Sequence, residues 1–234
     1  MTEILCQGLL LDMDGVLVDS TPAVARVWTR WAIKHHLDPV RAVQLAHGRP
    51  SLSSIQDLLP NAAPSVHEAE NQWMEQAEIE DVEDVVALPD TKELLAALRP
   101  SQFAVVTSAT RALTEVRLRA AGLWEYTRNL ITASDIQHGK PDPEPYRKGA
   151  AALQLPPQSC IVVEDASSGT RSGKAAGARV IALRTTSPDE VLLAAGADWI
   201  INDCAALRVI SNSSEGRLTL ALADNEPPRI PKMH

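Results

Sequence analysis

Hydrophobic positions along the chain form two kinds of segment, which alternate. Short, mainly apolar runs predict six strands, at 4–11, 103–107, 129–132, 160–163, 179–183 and 198–201. Runs of this length without polar alternation are typical of strands buried on both faces of a parallel sheet. Apolar residues recur at helical spacing in 91–98, 111–121, 143–153 and 168–176, and a glycine follows the second and fourth of these segments. The alternation predicts an α/β fold with a doubly wound parallel sheet.

One long stretch interrupts this alternation. From about Pro22 to Val86 the pattern favours helices, at 21–36, 40–46, 51–59 and 66–85, and no convincing strand. We therefore expect residues 1–16 and 88–234 to form the α/β core, and residues 17–87 to form an all-helical insertion above the end of the first strand. The acidic run 75–84 is expected to be a solvated helix face. The segment 216–223 is compatible with a final strand or with a tail element.

Composition narrows the classes of partner. The 234 residues include 22 Lys and Arg against 30 Asp and Glu, a net charge of -8, and only 3% are aromatic. These values argue against nucleic acid as a partner. An acidic protein can still bind an anion where a metal ion or local cations reverse the field. The apolar runs are too short to cross a bilayer, and the first residues lack a signal-peptide pattern. We expect a cytoplasmic, monomeric protein without a membrane partner.

The three cysteines, Cys6, Cys160 and Cys204, stand in apolar surroundings without the spacing of a zinc site. Three cysteines cannot form a disulfide framework. They are therefore interpreted as small buried side chains in a reducing compartment.

Polar side chains concentrate where the predicted strands end. Asp12 and Asp14 follow the first strand, Ser108 the second, Lys140 the third, and Glu164 with Asp165 the fourth. In open α/β sheets, ligands bind outside the carboxyl ends of the strands. Carboxylates packed together repel one another unless a cation lies between them. Mg²⁺ suits such oxygen ligands, and a metal, a lysine and a hydroxyl together describe a phosphate site.

The two aspartates of the first strand end are separated by one residue, so on an extended segment their side chains point in different directions. Asp12 can then attack phosphorus as a nucleophile, while Asp14 acts as acid and later as base. Gly15 allows a sharp turn out of the strand. The run Gly169–Ala175 differs from a nucleotide-binding P-loop, because three residues separate its glycines and alanine follows its lysine.

The order of these residues resembles the four motifs of the haloacid dehalogenase superfamily. The motifs read LLDMDGVLVDS at 10–20, VVTS at 105–108, GKPDPEPY at 139–146 and VVEDASSG at 162–169. The resemblance covers nearly the whole chain from residue 4 to about residue 205. It implies a Rossmann-like core with an inserted all-helical cap.

The resemblance also implies a role for each matching residue. Asp12 corresponds to the nucleophile and Asp14 to the general acid and base. Ser108, its neighbour Ala109 and Lys140 correspond to the phosphate site. The ligands implied for Mg²⁺ are Asp12, the backbone carbonyl of Asp14, and Asp165, with Glu164 acting directly or through water. The carboxylate at position 14 favours phosphate chemistry over the dehalogenase and phosphonatase branches.

Two details resemble the branch that acts on small sugar and polyol phosphates. They are the third motif at 139–146 and the segment 46–49, in which His47 and Arg49 are candidate substrate contacts of the cap. A Mg²⁺-dependent phosphatase acting on a small phosphate ester is therefore predicted. The β-phosphoglucomutase branch shares the four motifs and is the alternative. A non-catalytic protein that binds a phosphorylated metabolite is a further alternative.

Overall fold

Strands and helices alternate along the chain, in broad agreement with the hydrophobic pattern. The computed structural model describes residues 2–46, 50–213 and 216–223. The strands are β1 (Thr2–Cys6), β2 (Gly8–Leu11), β3 (Val18–Asp19), β4 (Val86–Ala87), β5 (Phe103–Val106), β6 (Leu130–Ile131), β7 (Cys160–Glu164), β8 (Arg179–Leu183), β9 (Trp199–Ile201), β10 (Leu207–Asn212) and β11 (Leu218–Leu222). The helices are α1 (Thr21–Lys34), α2 (Pro39–Ala46), α3 (Ser51–Leu58), α4 (Pro64–Glu80), α5 (Thr91–Ala96), α6 (Arg111–Ala120), α7 (Glu144–Ala152), α8 (Ser167–Ala176) and α9 (Asp189–Ala194).

A six-stranded parallel sheet lies at the centre of the fold. Its strand order is β6-β5-β2-β7-β8-β9, and each neighbouring pair is parallel. Numbered by their own order along the chain, these strands run 3-2-1-4-5-6, which is the order of a doubly wound Rossmann-type sheet. The predicted fold class is confirmed. The order reverses between β2 and β7, and a crevice for ligands forms at such a point.

Both faces of this sheet are buried. In β2, Leu9 and Leu11 belong to one hydrophobic cluster, which also contains residues of α5 and α6. Leu10 belongs to a second cluster, which contains Tyr146 and Ala150 of α7. Side chains alternate between the two faces of a strand, so a sheet covered on both sides requires apolar residues at every position. This explains why β2, β5 and β7 read as unbroken apolar runs.

The predicted single strand at 4–11 is wrong, because the structure divides it into β1 and β2. β1 leaves the parallel sheet and pairs antiparallel with β11, which also pairs with β10. Ile4 of β1 and Leu9 of β2 belong to the same hydrophobic cluster, so the apolar pattern continues across the break at Gln7. The open question about 216–223 is answered for the described part, since Leu218–Leu222 forms a strand.

Helices α1 to α4 have a hydrophobic cluster of their own, which includes Trp28, Trp31, Ile55 and Met74. We call these four helices the helical unit. A short antiparallel pair, β3 with β4, joins the chain where it leaves for the unit and where it returns. The sequence pattern did not predict this pair, because two-residue strands carry no periodicity. In the described part of the chain, no helix combines the length and the apolar character needed to span a bilayer. All three cysteines are buried and unpaired, as expected.

Candidate active site

Strand β2 places Asp12, the residue after its last, at the centre of the site. The Asp12 backbone N–H donates to the Val163 carbonyl at 3.0 Å, which continues the β2–β7 pairing by one residue. The chain then turns sharply at Gly15, whose φ of 77° lies in the left-handed region. A Cβ atom at Gly15 would also overlap the Asp165 carboxylate. The turn therefore brings the two carboxylate-bearing strand ends close together.

Lys140 is enclosed between two carboxylates. Its Nζ donates to Asp12 Oδ1 at 2.7 Å, to Glu164 Oε1 at 2.6 Å and to the Val106 carbonyl at 3.0 Å. An ammonium group has three N–H donors, so all three are used. Burial works against the charge on Lys140, but Asp12 and Glu164 outweigh this effect and raise its pKa. Lys140 is therefore a fixed positive charge beside Asp12.

Glu164 holds this lysine in place through hydrogen bonds at both carboxylate oxygens. Oε1 also accepts from the Tyr146 hydroxyl at 2.7 Å, and Oε2 accepts from the backbone N–H groups of Asp165 and Ala166 at 3.0 and 3.2 Å. The carboxylate occupies the space beside Gly169, where a Cβ atom would overlap it. Gly169 thus lets α8 approach Glu164, which accounts for one of the small residues in the fourth motif.

Asp12, Glu164 and Asp165 form a buried acidic cluster. One carboxylate oxygen from each lies within 4.8 Å of the others. Burial raises the pKa of Asp12 to about 7, against the attraction of Lys140 and with the repulsion of Glu164. Burial and the charges of Glu164 and Asp12 raise the pKa of Asp165 as well. One lysine does not balance three buried carboxylates, so the cluster fits an additional cation.

Asp14 has partners different from those of Asp12. Its Oδ1 accepts from the Ser20 hydroxyl at 2.6 Å, and its Oδ2 accepts from Arg117 Nη1 at 2.8 Å. Arg117 lies on α6, and its Nη2 donates to Glu78 Oε2 of α4 at 3.0 Å. The two neighbouring aspartates are thus directed into different surroundings, one beside Lys140 and one beside Arg117.

The segment after β5 lies on the third side of the site. Ser108 is exposed and lines the cavity, and Ala109 is half-buried. The Ala109 N–H donates to Thr107 Oγ1 at 3.1 Å. Thr110 caps α6, since its hydroxyl oxygen accepts from the Leu113 N–H. Because Thr110 performs this capping, the Ser108 hydroxyl is available to a ligand in the cavity.

A cavity of about 370 Å³ joins these groups to the helical unit. The core contributes Asp12, Asp14, Ser108, Ala109, Arg117, Lys140, Glu164 and Asp165, among others. The helical unit contributes Val24, Trp28, Ala46, Pro50, Ser51, Leu52, Asn71, Glu75 and Glu78. Every core residue predicted from the motifs therefore lines one cavity. The predicted contacts His47 and Arg49 lie outside the described residues.

Sequence reasoning missed four polar side chains of this region: Arg117, Tyr146, Glu75 and Glu78. The expectation that the acidic run 75–84 is a solvated face is wrong for Glu75 and Glu78, which face the cavity. Arg117 carried a signal, because it follows Leu113 by four positions and so falls on the buried face of α6. A charged residue on an apolar helical stripe indicates a buried ion pair.

The fold and the site together define a class of enzyme. A Rossmann-type sheet presents an aspartate and further carboxylates at its strand ends, a loop at the same edge adds a buried lysine, and a helical unit completes the cavity. The model of the haloacid dehalogenase-like hydrolase family matches residues 6–177. The chain belongs to this family, and the phosphatase relatives described next identify it as a phosphoric monoester hydrolase.

Named relatives agree with this assignment. Hexitol phosphatase A of Escherichia coli is 39% identical over 76% of this chain and 83% of its own length. Glycerol-1-phosphate phosphohydrolase 2 of Saccharomyces cerevisiae is 32% identical over 88% of this chain and 86% of its own. Among solved structures, a hydrolase from Pseudomonas syringae has a TM-score of 0.75 at 23% identity, and covers 84% of this chain and 94% of that one. This last likeness supports the fold.

Proposed function

We propose that the protein hydrolyses the monophosphate ester of a small sugar or polyol through an aspartyl-phosphate formed on Asp12. The observation that carries the proposal is the contact between Asp12 and Lys140 at the floor of the cavity. The relatives named for hexitol, glycerol 1-phosphate and 2-deoxyglucose 6-phosphate support this class of substrate. The cavity volume suits a single phosphorylated metabolite.

We also propose Mg²⁺ as the cofactor. The excess of buried carboxylates over lysine and the raised pKa values of Asp12 and Asp165 fit a hard divalent cation. Asp12, Asp165 and the backbone carbonyl of Asp14 would hold it. Each oxygen of Glu164 already accepts two hydrogen bonds, which leaves no lone pair for the metal, so we assign Glu164 a role through water. When bound, Mg²⁺ would offset negative charge on the phosphoryl group.

The chain's own residues would then carry the reaction. Asp12 attacks phosphorus, and the alcohol leaves as Asp14 gives it a proton. Lys140 and the Ser108 hydroxyl stabilise the charge on the phosphoryl oxygens. The Ala109 N–H can add to this site if it is released from Thr107 Oγ1. Asp14 next takes a proton from water, which hydrolyses the aspartyl-phosphate.

We propose that residues 17–87 act as a cap that closes the cavity, with residues 1–16 and 88–234 as the catalytic core. The cap side of the cavity presents polar groups from Ser51, Asn71 and Glu75, which can bind the hydroxyl groups of a sugar or polyol. Trp28 and Leu52 add apolar surface on the same side of the cavity, which can contact a carbon chain. This mixture favours a neutral, hydroxylated leaving group.

Phosphate release from a panel of small esters tests the function. The panel holds hexitol, glycerol, deoxyhexose and aryl phosphates, each with Mg²⁺ and with EDTA. We expect inorganic phosphate from the polyol and sugar esters with Mg²⁺, and loss of turnover with EDTA. An isomerised sugar phosphate with little release of inorganic phosphate would contradict hydrolysis and indicate a mutase. Full activity in EDTA would contradict the metal assignment.

A further inference from the structure

Arg117 is a buried guanidinium that bridges the core and the helical unit. Only 6% of its side chain is exposed. Nη1 donates to Asp14 Oδ2 at 2.8 Å and Nη2 donates to Glu78 Oε2 at 3.0 Å. Asp14 belongs to the strand-end loop of the core, and Glu78 to α4 of the helical unit. One side chain therefore links the two parts of the molecule at the cavity wall.

The three charges form a unit that does not tolerate the loss of one member. Transfer of a guanidinium from water into a protein interior is strongly unfavourable unless its donors are paired. The charges on Asp14 and Glu78 outweigh burial and raise the pKa of Arg117, so it stays protonated. A planar guanidinium can direct separate N–H groups to two carboxylates, whereas a lysine ammonium is a compact point charge. The residue type thus matches the bridging geometry.

Both oxygens of Asp14 have partners that connect to the helical unit. Oδ2 is held by Arg117, which Glu78 holds in turn. Oδ1 accepts from the hydroxyl of Ser20, the residue immediately before α1. A second polar contact joins α4 to the start of α6. Thr110 caps α6, and its hydroxyl donates to Oε1 of Glu75 on α4 at 2.6 Å. Glu75 and Glu78 are three residues apart, so they share one face of α4.

We propose that Arg117 is a positioning residue, which orients the Asp14 carboxyl for proton transfer and ties that orientation to the place of α4. This inference rests on the proposed role of Asp14 as the acid that protonates the leaving alcohol. When α4 sits against α6, Glu78 fixes one arm of the guanidinium and the other arm fixes Asp14. When α4 moves away, Asp14 loses this support. Proton donation is thereby confined to the closed arrangement.

The dependence on the leaving group separates this role from a purely structural one. An alkyl alcohol needs a proton to leave, whereas p-nitrophenolate leaves without one. We therefore compare kcat/KM, which reports the step that expels the alcohol, for the best alkyl phosphate of the panel and for p-nitrophenyl phosphate. For Arg117→Met we expect a loss of about 100-fold on the alkyl ester and less than about 5-fold on the aryl ester.

Two further variants and one control complete the experiment. Arg117→Lys keeps the positive charge but lacks the two separate N–H groups of the guanidinium. We therefore expect a smaller loss of kcat/KM, again larger on the alkyl ester than on the aryl ester. This variant also carries the test if Arg117→Met does not fold. Glu78→Gln is expected to lower kcat/KM by about 10-fold on the alkyl ester alone. The matched control is Arg119→Met, two residues along α6, where an exposed arginine pairs with Glu115; both esters should be unaffected.

Three results would overturn the inference. Equal losses on the two esters in a folded Arg117 variant would indicate a structural role. Unchanged kcat/KM on the alkyl ester would show that Asp14 needs no such support. An unaffected Glu78→Gln beside an impaired Arg117→Met would remove the link to α4. Absence of wild-type turnover on every ester is a different outcome, since it would refute the proposed function and this inference with it.

Discussion

Two buried cations divide the site into halves that are built differently. Lys140 bridges Asp12 and Glu164 and also donates to the Val106 carbonyl, so its partners all belong to the α/β core. Arg117 bridges Asp14 and Glu78, so one of its carboxylates comes from the core and the other from the helical unit. The first half holds the phosphoryl group in our proposal, and the second serves the leaving alcohol.

The two aspartates after β2 therefore differ in their surroundings. Asp12 is held by groups of the core alone, whereas the support of Asp14 also requires α4. The partners of Lys140 lie on or directly after neighbouring strands of one sheet, so none of its hydrogen bonds involves the helical unit. The Asp14 half is complete only while α4 lies against α6. A preorganised phosphoryl site reduces reorganisation during the reaction. A divided leaving-group site makes proton transfer depend on closure.

The largest expected effect is that of Asp12→Asn, which removes the proposed nucleophile from the first half of the site. We expect turnover of every ester to fall by at least about 10⁴-fold, because an amide does not form the aspartyl-phosphate. The fold should be retained, since the amide oxygen of the variant can still accept from Lys140. Phosphate release and circular dichroism measure the two outcomes. The control is Asp38→Asn, at an exposed carboxylate before α2, which should keep wild-type activity. Near wild-type activity of Asp12→Asn would contradict the role of Asp12 as nucleophile.

Lys140→Met tests whether the first half of the site serves all substrates alike. We expect kcat/KM to fall by about 10²–10³-fold on both alkyl and aryl phosphates, because the charge acts on the phosphoryl group common to both. This equality is the opposite of the asymmetry expected for Arg117. Lys148→Met removes an exposed lysine paired with Glu144 and should change neither ester. A loss confined to alkyl esters would contradict the division of the site.

The same division explains what the sequence could predict. Asp12 and Asp165 directly follow the apolar strands β2 and β7, and parallel strands bring their carboxyl ends to one edge of the sheet. Lys140 lies in the loop between β6 and α7, which starts at the same edge. Their proximity could therefore be predicted from the pattern alone. Ser108 follows β5 in the same way, and in the structure it lines the cavity while Thr110 caps α6.

Asp14 of the second half was predicted, but its link through Arg117 to Glu78 could not be, because these contacts join segments that are distant in sequence. Arg117 and Glu78 are 39 residues apart, and no local rule pairs them. An acidic stretch such as 75–84 reads as solvated when its partner is unknown. The break at Gln7 was hidden for a related reason, since β1 and β2 bury side chains in one hydrophobic cluster. Tertiary contacts, not local pattern, decide such cases.

The buried acidic cluster should make the free energy of unfolding depend on pH when no metal is bound. Without metal, the pKa of Asp12 is about 7, against about 4 in an unfolded chain. Between these values the folded protein binds more protons at Asp12 than the unfolded chain, so the free energy of unfolding decreases as pH rises through this window. We expect the unfolding temperature in EDTA to be lower at pH 8 than at pH 5, and Mg²⁺ to raise it at pH 8.

Asp12→Asn provides the matched variant for this measurement. It removes the titrating carboxyl, so in EDTA at pH 8 it should unfold at a temperature higher than the wild type by on the order of 5 °C. The difference should shrink at pH 5, where wild-type Asp12 is protonated. Thermal unfolding followed by circular dichroism at both pH values measures this. A wild-type stability that rises with pH in EDTA would show that Asp12 is not held in an unfavourable charged state.

The smallest expected effect belongs to Glu75, which lines the cap side of the cavity beside the divided half. Its Oε1 accepts from the Thr110 hydroxyl, and Glu75→Gln keeps the shape and an oxygen acceptor while removing the charge. Hydrogen bonds to charged groups are stronger than neutral ones by about 1 kcal/mol, so we expect KM for a polyol phosphate to rise about 5-fold. The KM for p-nitrophenyl phosphate, which has no hydroxyl groups on its ring, should stay unchanged.

Glu68→Gln is the control for this measurement, because Glu68 is an exposed carboxylate on the same helix. It should leave both KM values unchanged. An equal rise on both esters for Glu75→Gln would mean that the carboxylate serves the contact between α4 and α6 rather than substrate hydroxyl groups. A fall in kcat/KM restricted to alkyl esters, with KM unchanged, would place Glu75 with Glu78 in support of Asp14. A change in KM therefore indicates recognition of the leaving group, whereas a change in kcat/KM at constant KM indicates its protonation.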